Sequence, residues 1–186
     1  WDWPYDLNYL HPERDPVLAM YFAENWRAFR TWGMSITAPE GYGSPLSTAA
    51  LMRNNRPLLA YIGGPSGAFT RKDHNFRPGE SFEKQLIVIN NSRVTVTADC
   101  TWTLHLPRPV HGKRVITLPT GEQERIPLRF ALPAGLPAGR YELTAMVHFS
   151  SGETQADTFA IDVLPAPAAV RARRRIALFD PKGETA

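Results

Sequence analysis

Over residues 94–104 the apolar side chains occupy every second position without a break. Val94, Val96, Ala98, Cys100, Trp102 and Leu104 lie on one face, and Thr95, Thr97, Asp99, Thr101 and Thr103 on the other. A period of two is the signature of a pleated strand, whose successive side chains point to opposite faces, so one face belongs to a core and the other to water. The pattern returns in Ile126, Leu128, Phe130 and Leu132, in Tyr141, Leu143, Ala145, Val147 and Phe149, and in Phe159, Ile161 and Val163. Pro127 cannot donate to a ladder, which places its strand at a sheet edge. Residues 82–89 and 115–118 add two strands and residues 56–62 read as extended, with turns at Asn90-Asn91-Ser92 and Ser151-Gly152. Seventeen prolines and thirteen glycines, mostly between these runs, favour a β body over a helical one. About seven strands with regular turn signals predict a mainly β chain built on an immunoglobulin-like β-sandwich over residues 56–164. Tyr141, entering its strand after Pro137-Ala138-Gly139-Arg140, is placed to hydrogen-bond back to that loop through its hydroxyl. The single cysteine excludes an intrachain disulfide, and Cys100 reads as a small core residue.

Residues 16–34 break the β pattern. Leu18, Phe22, Trp26 and Phe29 recur at spacings of four, four and three, which sets large apolar groups on one helical face, with Val17, Met20, Tyr21 and Trp32 widening it. Asp15 reads as the N-cap, Pro16 suits the first helical position, and Gly33 supplies the left-handed stop. A short strand over residues 34–38 and a loop at Pro39-Glu40-Gly41-Tyr42-Gly43 complete one αβ step, and residues 47–55 read as a second short helix. An apolar helix face of this kind demands cover, from an upstream body, from the sandwich, or by self-association through Leu18, Phe22, Trp26 and Phe29.

Several chemistries find no support. The formal charge is only +3, and Arg171, Arg173, Arg174 and Arg175 sit together in a proline-led linker without aromatic interleaving, so no nucleic-acid partner is expected. No window reaches the roughly 18 apolar residues of a membrane span. His11, His74, His105, His111 and His148 lack metal-ligand spacing, and neither a metal nor another cofactor is expected. Ser66-Gly67 after Gly63-Gly64-Pro65 lacks the frames of a phosphate loop or a nucleophile elbow and reads as a glycine-rich turn. The chain opens on Trp1, so its natural N-terminus is expected elsewhere, and localisation stays open.

The stretch Asn25-Trp26-Arg27-Ala28-Phe29-Arg30-Thr31-Trp32-Gly33-Met34-Ser35 resembles the late part of the (β/α)8 barrel in clan A, β-galactosidase-like glycoside hydrolases, where a Trp- and Arg-rich helix precedes the eighth strand. Ser35-Ile36-Thr37-Ala38-Pro39-Glu40 is similar to that family's strand-end sequence, although the family's tryptophan is absent. The resemblance implies three parts: residues 1–55 as the end of a barrel, residues 56–164 as the sandwich that follows it, and residues 165–186 as a linker and the start of an α/β domain at residues 176–180. Retaining enzymes of this kind use two carboxyl groups about 5 to 5.5 Å apart from different barrel strands, and those strands would lie upstream. Glu24-Asn25 reverses the family's acid/base order and reads as a helix-surface pair. Glu40, just beyond a barrel strand, is the candidate substrate contact, and Trp1 and Trp3 are candidate sugar-stacking rings. The expected function is a non-catalytic accessory portion of a multidomain glycoside hydrolase, with the rest of that enzyme and an oligosaccharide as partners. The alternative is a stand-alone carbohydrate-binding or adhesive sandwich.

Overall fold

A computed structural model describes residues 15–34 and 44–165. Two helices, α1 (Asp15–Thr31) and α2 (Pro45–Asn54), precede eight strands: β1 (Leu58–Gly63), β2 (Asn75–Phe76), β3 (Ser81–Asn90), β4 (Val96–Leu104), β5 (Val110–Leu118), β6 (Gln123–Ala131), β7 (Gly139–Phe149) and β8 (Thr154–Val163). They form two sheets, of order β1-β3-β6 and β2-β8-β7-β4-β5. The pairings are antiparallel apart from the two-residue β2, which runs parallel to β8. The described chain is thus mainly β, a sandwich carrying a helical pair.

The alternation seen in the sequence is what builds the core. Val96, Ala98, Cys100 and Leu104 from β4, Leu143, Ala145, Val147 and Phe149 from β7, and Ile126, Leu128 and Phe130 from β6 all point between the sheets. Each fully buried aliphatic side chain contributes about 1.5 to 3 kcal/mol by leaving water. Val94 departs from expectation: it precedes β4 and is 61% exposed. Pro127 sits on an edge strand, as a residue without an N–H requires. The Tyr141 hydroxyl donates to the Pro137 carbonyl at 2.9 Å, closing the corner at the start of β7.

Trp102 continues the inward row but lies near the β5 edge, opposite Gly112. A Cβ at position 112 would run into the indole, so glycine is what lets the ring lie over β5.

The outer edge of β1 would leave backbone N–H groups unpaired, the usual liability of an edge strand. Two side chains of β8 reach across from the other sheet and cover it. Gln155 accepts from the Ala60 N–H and donates to the Leu58 carbonyl, both at 2.8 Å, and Asp157 accepts from the Ile62 N–H at 2.8 Å.

In the three-stranded sheet both faces of β1, and most of both faces of β3, are covered. Leu59, Tyr61, Ile87 and Ile89 point away from the sandwich core and are buried with Phe69 and Ala28 of α1. On α1 itself Phe22 and Trp26 are buried against Leu51 of α2, with Leu18 packed beside them and Phe29 half-buried. Val17, Met20, Tyr21 and Trp32, expected to widen the buried face, are 47 to 61% exposed. At 3.6 residues per turn Val17 and Met20 fall opposite Phe22 and Trp26, and Tyr21 and Trp32 lie about 100 to 120° round from them, so their apolarity does not place them inside. The helix ends on the predicted glycine: Gly33 has φ +73°, its N–H reaches the Arg30 carbonyl, and the Met34 N–H reaches the Phe29 carbonyl. That bond pair is the Schellman arrangement. Helix α2 starts with a reciprocal cap between Ser44 and Ser47.

Candidate functional site

The three proposed contact residues, Trp1, Trp3 and Glu40, lie outside the described residues, as do the expected strand over residues 34–38 beyond Met34, the arginine-rich linker and residues 176–180. What the structure brings together instead is a polar seam under the C-terminal half of α1, and a cleft beside it.

The last two turns of α1 deliver the seam. Arg30 is 8% exposed, and its guanidinium donates to the carbonyls of Asn54 (2.7 Å), Arg56 (2.6 Å) and Pro57 (3.1 Å). Burial lowers its pKa to about 10, still far above neutrality, so it remains a cation solvated by backbone oxygens. Thr31 shares a 2.6 Å hydrogen bond with the Tyr61 hydroxyl, and the Thr31 carbonyl accepts from Gln123 and Arg125 of β6 at 3.0 and 3.1 Å. Burial pushes the Tyr61 hydroxyl up to about 12. Arg27 lies over the Tyr61 ring at 5.2 Å and bonds Asp157 of β8 at 2.9 Å and Glu24 at 3.3 Å. Trp26 donates its indole N–H to Asn55 at 3.1 Å, which satisfies its one polar atom.

Beside the seam, α1 and the loop of residues 64–72 enclose a cleft of about 340 Å³ lined by Glu24, Asn25, Trp32, Tyr61, Phe69 and Lys72, among others. Trp32 stands edge-on to Phe69, ring centroids 5.5 Å apart at 69°. Phe69 is in turn covered by the Arg125 guanidinium at 5.2 Å. Glu24 accepts from Lys72 at 2.8 Å as well as from Arg27, so the carboxylate is doubly paired. The glycine turn that carries this loop is anchored by Glu83, which accepts from the Ser66 N–H at 2.8 Å and from Arg129 at 2.7 Å. Hydrogen bonding from Ser66, then from Arg129, holds Glu83 down to about 2.

Other reactive groups have structural employment. Burial raises the Cys100 thiol to about 11, which leaves it inert. His105, His111 and His148 each share a 2.9 Å hydrogen bond with a threonine hydroxyl, of Thr144, Thr103 and Thr154 respectively. Among the described residues no three His, Cys, Asp or Glu side chains converge on a metal position. Lys84 is the residue that sequence reasoning passed over. It is 1% exposed, donates to the Asp73 carbonyl at 2.6 Å and lies 4.0 Å over the Phe159 ring, and burial lowers it to about 8. Its position in the inward row with Phe82, Leu86 and Val88 was the available signal.

No family model matches the chain, and no curated protein does either. Among solved structures it is similar to the CARDB domain of the PF1109 protein from Pyrococcus furiosus, with 15% identity and TM-score 0.43 over 57% of this chain and 87% of that one. It is also similar to part of a family 123 glycoside hydrolase from Clostridium perfringens, with 11% identity and TM-score 0.41 over 60% of this chain and 28% of that one. A β-glucosidase from Listeria innocua gives 15% identity and TM-score 0.40 over 57% and 16%. Similarity at this level lends nothing to the choice of function.

Proposed function

We propose that the chain is a non-catalytic accessory portion of a multidomain glycoside hydrolase, an immunoglobulin-like sandwich whose docked helix fixes the position of the neighbouring catalytic body. The observation that carries this reading is the seam. Three side chains of α1, together with the Thr31 carbonyl, bond to both sheets and to the residue 54–57 connection, far more than a helix needs merely to cover apolar surface. A helix tied in this way transmits orientation, because it cannot rotate on the sandwich without breaking charge-assisted hydrogen bonds. The sheet order and the Tyr141 corner support the immunoglobulin-like assignment. The Trp- and Arg-rich sequence of residues 25–35 supports the hydrolase parent, and the double pairing of Glu24 suits a structural carboxylate better than a general acid.

The isolated chain is therefore expected to leave aryl galactosides and related aryl glycosides uncleaved. Measurable turnover that disappears in Glu40→Gln would overturn the reading.

A further inference from the structure

We propose that the cleft between α1 and the loop of residues 64–72 is a binding site for one neutral pyranose ring. The proposal stands on the side chains of the cleft, whatever body adjoins the sandwich.

Size sets the first limit. Ligand pockets run from about 300 to 1,000 Å³, and at about 340 Å³ this one holds a single ring rather than a chain of them. One wall is aromatic, with Trp32 as its exposed face and the buried rings of Phe69 and Tyr61 behind it. Trp32 is 57% exposed yet braced by Phe69, so it offers a flat apolar surface that is already oriented and still wet. Such a surface fits a ligand with one apolar C–H face and a polar perimeter.

The polar groups decide the charge. Glu24 is matched by Lys72 and Arg27, and Arg27 is matched again by Asp157, while Arg125 over the Phe69 ring is held by the Thr31 carbonyl and the Gln123 side chain and does not line the cleft. A charged ligand would find no complementary excess here and would have to break an existing pair. A hydroxyl, by contrast, donates and accepts at once. Among the described residues the spare capacity is mixed in the same way. Glu24 and the Asn25 side-chain oxygen retain acceptor sites, Lys72 retains ammonium hydrogens beyond its bond to Glu24, and Thr70 supplies a hydroxyl. A ring with one C–H face and hydroxyls around its edge satisfies both walls together.

The test is a ¹H–¹⁵N titration of the whole chain, following the Trp32 indole N–H, with methyl glycosides of glucose, galactose and mannose and with methyl glucuronide as the charged control. The expected result is saturable shifts at Trp32 and around Lys72 with at least one neutral glycoside, at the millimolar affinity appropriate to so small a ligand. Trp32→Ala should weaken binding by about tenfold or more while leaving Tm nearly unchanged, because the ring is exposed. Lys72→Met should weaken it less. The proposal is overturned by the absence of saturable shifts with all three neutral sugars, by equal binding to Trp32→Ala, or by tighter binding of the glucuronide. None of these outcomes bears on catalytic silence, so the two readings fail separately.

Discussion

The two sheets of the sandwich treat water differently. The five-stranded sheet has one dry face and one threonine-rich wet face, where Thr97, Thr101 and Thr117 are exposed and His111 and His148 rest on threonine hydroxyls. The three-stranded sheet is dry on both sides along β1 and β3, which α1 and the residue 64–72 loop cover, while the outer face of β6 stays exposed at Arg125, Pro127 and Arg129. The second sheet has therefore become the middle layer of a three-layer stack, helices over sheet over sheet. The module's rigidity and its candidate cleft both arise at the outer of these two boundaries.

If the outer boundary is a true core, Leu59→Ala there should cost about as much as Leu143→Ala between the sheets. Both residues are 0% exposed, and about 2 to 5 kcal/mol is expected for each in urea unfolding. A Leu59 cost under one kcal/mol would reduce the helices to an appendage. Next in size, Arg30→Ala orphans three carbonyls and should cost about 3 kcal/mol, with faster amide exchange along α1 while β4 and β7 stay protected.

Gly112→Ala probes the wet sheet at its edge: displacing the Trp102 ring should cost about 1 to 3 kcal/mol and red-shift its fluorescence. Lys84 gives the pH test. Its folded pKa, near 8, lies below the ordinary 10.5, so the unfolded chain binds more protons between those values and stability rises with pH across that window. The gain from pH 8 to about 9.5 should be on the order of 1 to 2 kcal/mol, read from the urea midpoint and absent in Lys84→Met. Smallest of all, Thr101→Ala on the wet face should change stability by no more than about 0.5 kcal/mol.

The same contrast explains how far the sequence could be read. Strands β4, β6 and β7 were legible because a half-wet strand writes its burial as alternation, and Cys100, Pro127 and Tyr141 all took the places their local chemistry demanded. In β1 the run Leu58-Leu59-Ala60-Tyr61-Ile62 is apolar on both faces, so its extended form was evident but its second covering layer was not. The buried stripe of α1 was right at Phe22 and Trp26 and too broad at Val17, Met20, Tyr21 and Trp32, where angular position outweighs apolar character. The cleft was out of reach. Glu24, Asn25 and Trp32 meet Tyr61, Phe69 and Lys72 only once the helix has docked, and no local pattern records that docking.

The Arg27–Asp157 bond joins residues 130 positions apart, and it carries a consequence for assembly order. A chain made from its N-terminus produces α1 before its seat on β8, so Phe22, Trp26 and Arg30 meet α2 and the residue 54–57 connection early while Arg27 waits for Asp157. Contacts of such long range are slow to close and tend to lie beyond the rate-limiting step. Substitutions at Arg27 or Asp157 should accordingly appear in the unfolding rate and leave the folding rate almost untouched. The helix precedes every described strand, yet its tie to β8 would be the last to lock.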